Sequence, residues 1–270
     1  MNFERRMTLL ARIGFAARGL VYILIGWFAL DVAIHGGQPM DNQGALGTLA
    51  SAPLGHALLA VCAAGFLGYA IWRLTEAATD PENRSRDFKG RFERVGYAVS
   101  GLTHLVLTVA AGRIALRQAS AQGGSPGDQK AESWSGWLMQ QPGGPALLTL
   151  VGVGFLAVAA AQAIKAYKAR FDELDSRAPA PHYVRWIGRC GYAARAIIFA
   201  IIGWFLTDAA MNQDADRAGG LGEALRQLRA QPEGGVVMAT VAVGLLLFGL
   251  FSLIEARYRR ISVEKPSLFR

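Results

Sequence analysis

The sequence predicts an all-α integral membrane protein of six transmembrane helices, arranged as three parallel two-helix repeats with both termini cytoplasmic. Three observations carry this. Six apolar blocks approach the ~20 residues that a helix needs to cross ~30 Å of hydrocarbon. A phrase near the N-terminus returns late in the chain, and Lys and Arg are segregated to alternate connections.

The blocks stand near Ile13–Ile34, Leu54–Leu74, Val95–Leu116, Pro145–Ile164, Cys190–Met211 and Val236–Ile254. Hydrophobic residues make up 52% of the chain, charged residues only 18%, and mean hydropathy is +0.26, which argues against a soluble fold. Gly and Ala are frequent inside the blocks, as close helix contact in lipid requires. The first block is too long for a cleavable signal and is expected to be retained. Cys62 and Cys190 fall in different spans at different depths, so no disulfide is expected.

The repeated phrase is Arg12–Asp31, RIGFAARGLVYILIGWFALD, and Arg189–Asp208, RCGYAARAIIFAIIGWFLTD, with ten identical positions at a constant offset of 177. A fainter copy, RVGYAVSGLTHLVLTVAAGR, runs from Arg94 to Arg113. Each copy leads to a Pro-x-Gly: Pro53-Leu54-Gly55, Pro142-Gly143-Gly144 and Pro232-Glu233-Gly234. Twelve residues past each proline stands Gly65, Gly154 or Gly244, and 23 past it Glu76, Lys165 or Glu255. The unit is therefore helix, loop, return helix, at about 11–80, 92–170 and 186–260 of one membrane domain spanning 1–270. Before the prolines, Leu46 and Leu49, Trp134, Trp137 and Leu138, and Leu225 and Leu228 fall at helical spacing. Each marks a short amphipathic helix packed over the bundle or lying on the membrane surface.

With both termini inside, 22 of the 28 Lys and Arg residues fall on the cytoplasmic side and 6 outside, as the positive-inside rule demands. The basic segments include Arg84, Arg86, Arg170, Arg177, Lys265 and Arg270, and are expected to meet anionic lipid headgroups. A net charge of +8 spread in this way leaves no folded basic domain, which excludes nucleic acid as a partner.

The pattern Gly-[Phe/Tyr]-Ala-Ala-Arg, then Ile-Gly-Trp and an Asp, in three two-helix copies, resembles a bacterial inner-membrane family catalogued as domain of unknown function 1206. The resemblance covers nearly the whole chain. It implies a six-span protein of the bacterial inner membrane and supplies no activity. The middle copy departs from it, with Ser100 where the outer copies have Arg18 and Arg195. The mitochondrial carriers also have three two-helix repeats, but the first, third and fifth spans here lack the prolines of their signature.

Ionisable residues within spans are costly and are the first functional candidates. Arg18 with Glu76, and Arg195 with Glu255, are expected to pair within their own repeats, since the middle copy replaces both members, with Ser100 and Lys165. Near the outer boundary Asp31 and Asp208 face a change of sign at Arg113, which predicts a bridge from the middle repeat to one or both aspartates. Lys165 is expected to approach Glu76 or Glu255 in the same way. Arg18 and Asp31 lie ~140° apart around one helix, so the inner pairs and the outer cluster should use different faces.

Ser100 and His104 are one turn apart and are expected to share a face and a hydrogen bond. No acid or nucleophile motif makes them a hydrolase pair. His35, His56 and His182 are misplaced for haem ligation. No phosphate loop, zinc spacing or dinucleotide fingerprint occurs, so no catalytic residue, metal or cofactor is predicted. The expectation is a non-enzymatic accessory or scaffold subunit that packs against a membrane-protein partner or membrane lipid. A pore or carrier for a small or lipidic molecule is the alternative, and an intramembrane enzyme the third.

Overall fold

The computed structural model describes residues 3–51, 53–79, 88–117, 125–169, 174 and 181–260. The cations Arg84, Arg86, Arg170, Arg177, Lys265 and Arg270 lie outside them. The chain forms helices α1 (Phe3–His35), α2 (Asn42–Ala50), α3 (Gly55–Thr79), α4 (Phe88–Ala115), α5 (Pro126–Met139), α6 (Gly144–Lys168), α7 (Pro181–Asn212), α8 (Leu221–Arg229) and α9 (Gly234–Tyr258). Six of these are long and apolar enough to cross a membrane: α1, α3, α4, α6, α7 and α9. The protein is a multi-pass membrane protein. The fifth apolar helix begins well before Cys190, because a polar and aromatic extension from His182 continues the same helix.

Each repeat thus holds an outgoing helix, a short loop helix and a return helix. The Pro-x-Gly makes the turn between the last two. Its middle residue is left-handed in every copy: Leu54 at φ 60°, Gly143 at 73° and Glu233 at 58°. The glycine that follows lies so close to the preceding loop helix that a Cβ would meet the carbonyl oxygen of Leu49, Leu138 or Arg229 at 2.1, 1.9 or 1.9 Å. Only glycine fits there, which is the physical content of the motif.

The closest helix pairs join different repeats: α1 with α9, α3 with α4, and α6 with α7. Glycines set two of them. Gly19 and Gly249 lie backbone to backbone, so that a Cβ on either would come within 2.8 and 2.7 Å of the other's carbonyl oxygen. Gly152 and Gly203 do the same at 3.0 and 2.9 Å. In lipid no hydrophobic force drives helices together, so such close backbone packing carries much of the association.

Within repeats, α1 packs on α3 and α7 on α9, but α4 and α6 of the middle repeat share no comparable interface. By contact the helices follow the order α4–α3–α1–α9–α7–α6, with α4 and α6 at its two open ends. Accordingly the apolar windows of α4 and α6 are 22% and 17% buried, against 44–50% for the other four.

Two matched glycines register this opening. Gly14 packs against Gly65 and Tyr69, and its counterpart Gly191 against Phe248, the counterpart of Tyr69. Gly65 packs on Ile13, and Gly244 on Ala194 and Cys190. In the middle repeat the same two glycines, Gly96 and Gly154, have nothing within 4 Å of a would-be Cβ.

The loop helices pack over one end of the bundle. Leu46, Leu49, Leu225 and Leu228 are buried in the main core, whereas Trp134 and Trp137 are exposed and stacked edge to face at 5.5 Å. Trp27 and Trp204 also face outward. Cys62 and Cys190 are free thiols.

Candidate functional site

A layer of charge crosses the bundle at the end opposite the loop helices. Arg18 is at its centre. Its Nη2 donates to Glu255 Oε2 at 2.5 Å, its Nη1 to the Tyr69 hydroxyl at 3.0 Å and its Nε to Ser252 Oγ at 3.2 Å. Glu255 accepts a second bond from Arg259 Nη1 at 2.6 Å. The Tyr69 hydroxyl also accepts from Arg73 Nε at 3.0 Å, and Arg73 Nη1 donates to Glu76 at 2.8 Å. The network ties α9 to α1 and α1 to α3. The rings of Phe15, Tyr69 and Phe248 lie 4.8–5.5 Å from the Arg18 guanidinium and exclude water from it.

The expected pairing of Arg18 with Glu76 is therefore corrected. Arg18 crosses to the last repeat because α1 lies closest to α9, and Arg73 engages Glu76 from one turn away on the same helix. The pair joins repeats instead of closing one.

Arg195, the counterpart of Arg18, is bonded differently. Among the described residues no hydrogen-bond acceptor meets its buried Nε, and it forms no ion pair. Its guanidinium lies over Phe248 at 4.4 Å, Phe199 at 4.9 Å and Tyr22 at 5.5 Å. The expected Arg195–Glu255 pair is not formed, because Glu255 is taken by Arg18 and Arg259. Lys165 stands on the return helix beside α7, at the repeat position that Glu255 holds on the helix beside α1. Its Nζ lies over the Tyr192 ring at 4.6 Å and within electrostatic reach of Glu255, one of the two acids expected for it.

Ser100 and His104 do not pair through their side chains. His104 Nδ1–H donates to the Ser100 backbone carbonyl at 2.7 Å, and the ring packs 4.4 Å from Tyr69. A histidine fixed in that tautomer and stacked in this way is a packing residue.

The outer bridge is also corrected. Asp31 pairs with His35 at 2.9 Å, one turn along its own helix, and Asp208 with Arg217 at 3.0 Å. Arg113 is exposed and pairs with neither. Local partners within one helix or loop cost less chain ordering than a bridge across the bundle.

The contacts that join the loop end run through residues the charge pattern did not point to. Asp41 caps α2, accepting from the Gln43 and Gly44 amides at 2.9 and 2.8 Å, and its other oxygen accepts from the Gly127 amide at the start of α5. Asp128 accepts from the Gly220 amide at 3.0 Å and from Arg226 at 3.3 Å. Gly220 is the N-cap of α8, and Asp128 of the middle repeat meets its amide as an N3 carboxylate does in a capping box. Arg229 closes the circuit by donating to the Val32 carbonyl of the first repeat. Asp followed by Asn-Gln-Gly at Asp41 is a legible helix-start signal, but nothing local announces that Asp128 serves another helix.

The loop-helix turns, the matched glycines and the three copies of one helix–loop–helix unit define a family. The model described as Domain of Unknown Function (DUF1206) matches residues 13–80, 95–169 and 190–259. The chain belongs to this family. It is 33% identical over 258 residues to "Uncharacterized protein YxxB" of Bacillus subtilis (strain 168), covering 94% of this chain and 92% of that one. No solved structure matches it significantly.

Proposed function

We propose that the protein is a non-enzymatic scaffold of the bacterial inner membrane, termini cytoplasmic, that presents the open edge between α4 and α6 to membrane components. The observation behind this is the unused glycine pair. Gly96 and Gly154 keep the small surface that their counterparts bury, yet meet nothing within 4 Å. Small residues on a helix face let another chain approach closely. The exposed Val99, Val106 and Val109 of α4 and Leu150 and Val153 of α6 continue an apolar surface suited to lipid or a neighbouring transmembrane segment.

Holding is favoured over conduction. The charged layer lies at one end, and between it and the polar loop end the buried residues are apolar apart from His104, among them Val21, Ile25, Ile202, Val241 and Leu245. A pore or relay needs polar groups along its length.

Native mass spectrometry of gently solubilised chain tests the reading. A lipid or protein should remain bound, and Gly154→Leu should release it. A bare chain that behaves identically in both forms would overturn it. For the topology, a thiol label at Gln129 should react from the periplasm and tags on both termini from the cytoplasm; the reverse pattern overturns that part.

A further inference from the structure

We propose that the space beside Arg195 binds the negatively charged headgroup of a membrane phospholipid, whose chains pass out between α4 and α6. The inference rests on the open-edge reading and assigns the edge an occupant. Three observations carry it.

The first is the contrast between two arginines at matched positions. Arg18 has a carboxylate, a phenol and a hydroxyl on its three nitrogens. Among the described residues Arg195 has only rings against its guanidinium, and its buried Nε meets no acceptor. A guanidinium held by aromatic faces but short of acceptors is built to receive oxygen atoms, and phosphate suits its planar fork.

The second is charge. Each outgoing helix faces the return helix of another repeat at this level. Arg18 meets Glu255 there, whereas the matching position on α6, the helix packed on α7, is Lys165. Cations on both α6 and α7 favour an anion, since Glu255, the acid within electrostatic reach of Lys165, is already bonded to Arg18 and Arg259. They also disfavour a headgroup that carries its own cation, such as choline.

The third is access. Arg195 faces the bundle interior, against Tyr22 of α1 and Phe248 of α9, and lies within electrostatic reach of His104 on α4. α4 and α6, the end members of the helix order, share no interface comparable to the others. Lys165 lies one turn before the end of α6, the depth at which headgroups meet a span. A lipid at that depth would set its phosphate by Arg195 and its chains against Gly154 and the exposed valines and leucines of the edge.

The test uses the full chain in detergent, with native mass spectrometry of bound phosphatidylglycerol, phosphatidylcholine and, in a separate arm, inorganic phosphate. Phosphatidylglycerol should be retained over phosphatidylcholine. Arg195→Gln should reduce that retention about ten-fold, as loss of one charge-assisted contact implies, while Arg195→Lys keeps most of it. Arg113→Gln, at an exposed cation, should change nothing, and Gly154→Leu should reduce retention with Arg195 intact. Equal retention of the two lipids, or full retention by Arg195→Gln, overturns the proposal. So does binding of inorganic phosphate without lipid, which would mark a site for a soluble anion. If Arg195→Gln does not fold, lipid selectivity of the wild type and its loss in Gly154→Leu decide the matter. A loss in Gly154→Leu with none in Arg195→Gln removes the headgroup site and leaves the open-edge reading standing; no loss in either removes both.

Discussion

Arg18 on the first span donates to Glu255 on the last at 2.5 Å, which closes the chain's first repeat on its third. Both groups are buried, so each is the other's main compensation for leaving water. Arg18→Ala should destabilise the protein in detergent by about 1–3 kcal/mol, the loss softened because Arg259 still holds Glu255. Arg18→Ala combined with Glu255→Ala should cost clearly less than the sum of the two, whereas Arg18→Ala and Glu76→Ala, linked only through Tyr69 and Arg73, should depart less from additivity. Thermal or denaturant unfolding of the three single and two double variants measures this, and strict additivity of Arg18 with Glu255 would sink the pair.

The matched glycines make a prediction of opposite signs. A Cβ at Gly14 would come within 2.4 Å of Tyr69 Cβ and 2.8 Å of the Gly65 carbonyl, so Gly14→Ala should cost about 1–3 kcal/mol through overpacking. Gly96→Ala meets nothing within 4 Å and should be neutral or stabilising by up to about 1 kcal/mol, since Ala favours helix over Gly. Comparable losses at both positions in an unfolding assay would mean that α4 and α6 close in the membrane.

Asp128 caps a helix that belongs to the next repeat. Asp128→Ala should cost about 1–2 kcal/mol, in the range of lost N-caps, and should raise hydrogen exchange at Gly220. Arg113→Ala, by contrast, should stay within about 0.5 kcal/mol of wild type, as expected of an exposed residue without an ion pair. Unchanged exchange at Gly220 in Asp128→Ala would show that the cap is not held by this carboxylate.

The cap should also respond to pH. Burial pushes the Asp41 and Asp128 carboxyls above the usual carboxylate range, opposed by amide bonds from Gly44 and Gly127 to the first and by Arg226 at the second. A raised folded value means that the fold prefers the neutral acid. Its contribution is complete below the ordinary value of about 3.9 and is lost as pH rises through the raised ones. Through these groups, lowering the pH from neutral to about 4, near the ordinary carboxylate value, should stabilise the loop end. The melting difference between the two pH values should shrink in Asp41→Asn combined with Asp128→Asn. A wild type that is weakened by acid, with that weakness relieved in the double variant, would reverse the sign.

Six spans, their lengths, the threefold repetition and the loop helices were all legible in the sequence, because each is a local property. An apolar run of ~20 residues declares a span, and a turn that crowds the preceding helix demands a glycine where the backbones meet, as at Gly55, Gly144 and Gly234. Of the charges that matter, Arg73, Arg259, Asp41 and Asp128 were not singled out; Arg18 and Glu255 were, since an ion within an apolar run is costly. Their partners were not legible. Pairing depends on which helix lies beside which, and Arg18 could have met an acid on α3 or on α9 without any change in its own surroundings along the chain. Packing decided it: the repeats join most closely to one another, and Glu255 came within reach while Glu76 turned to Arg73. The same packing left the middle repeat open although its glycines match those of its siblings. Sequence determines the surface each helix offers; only the assembled bundle, where every contact competes with others across the chain, determines which surfaces are used.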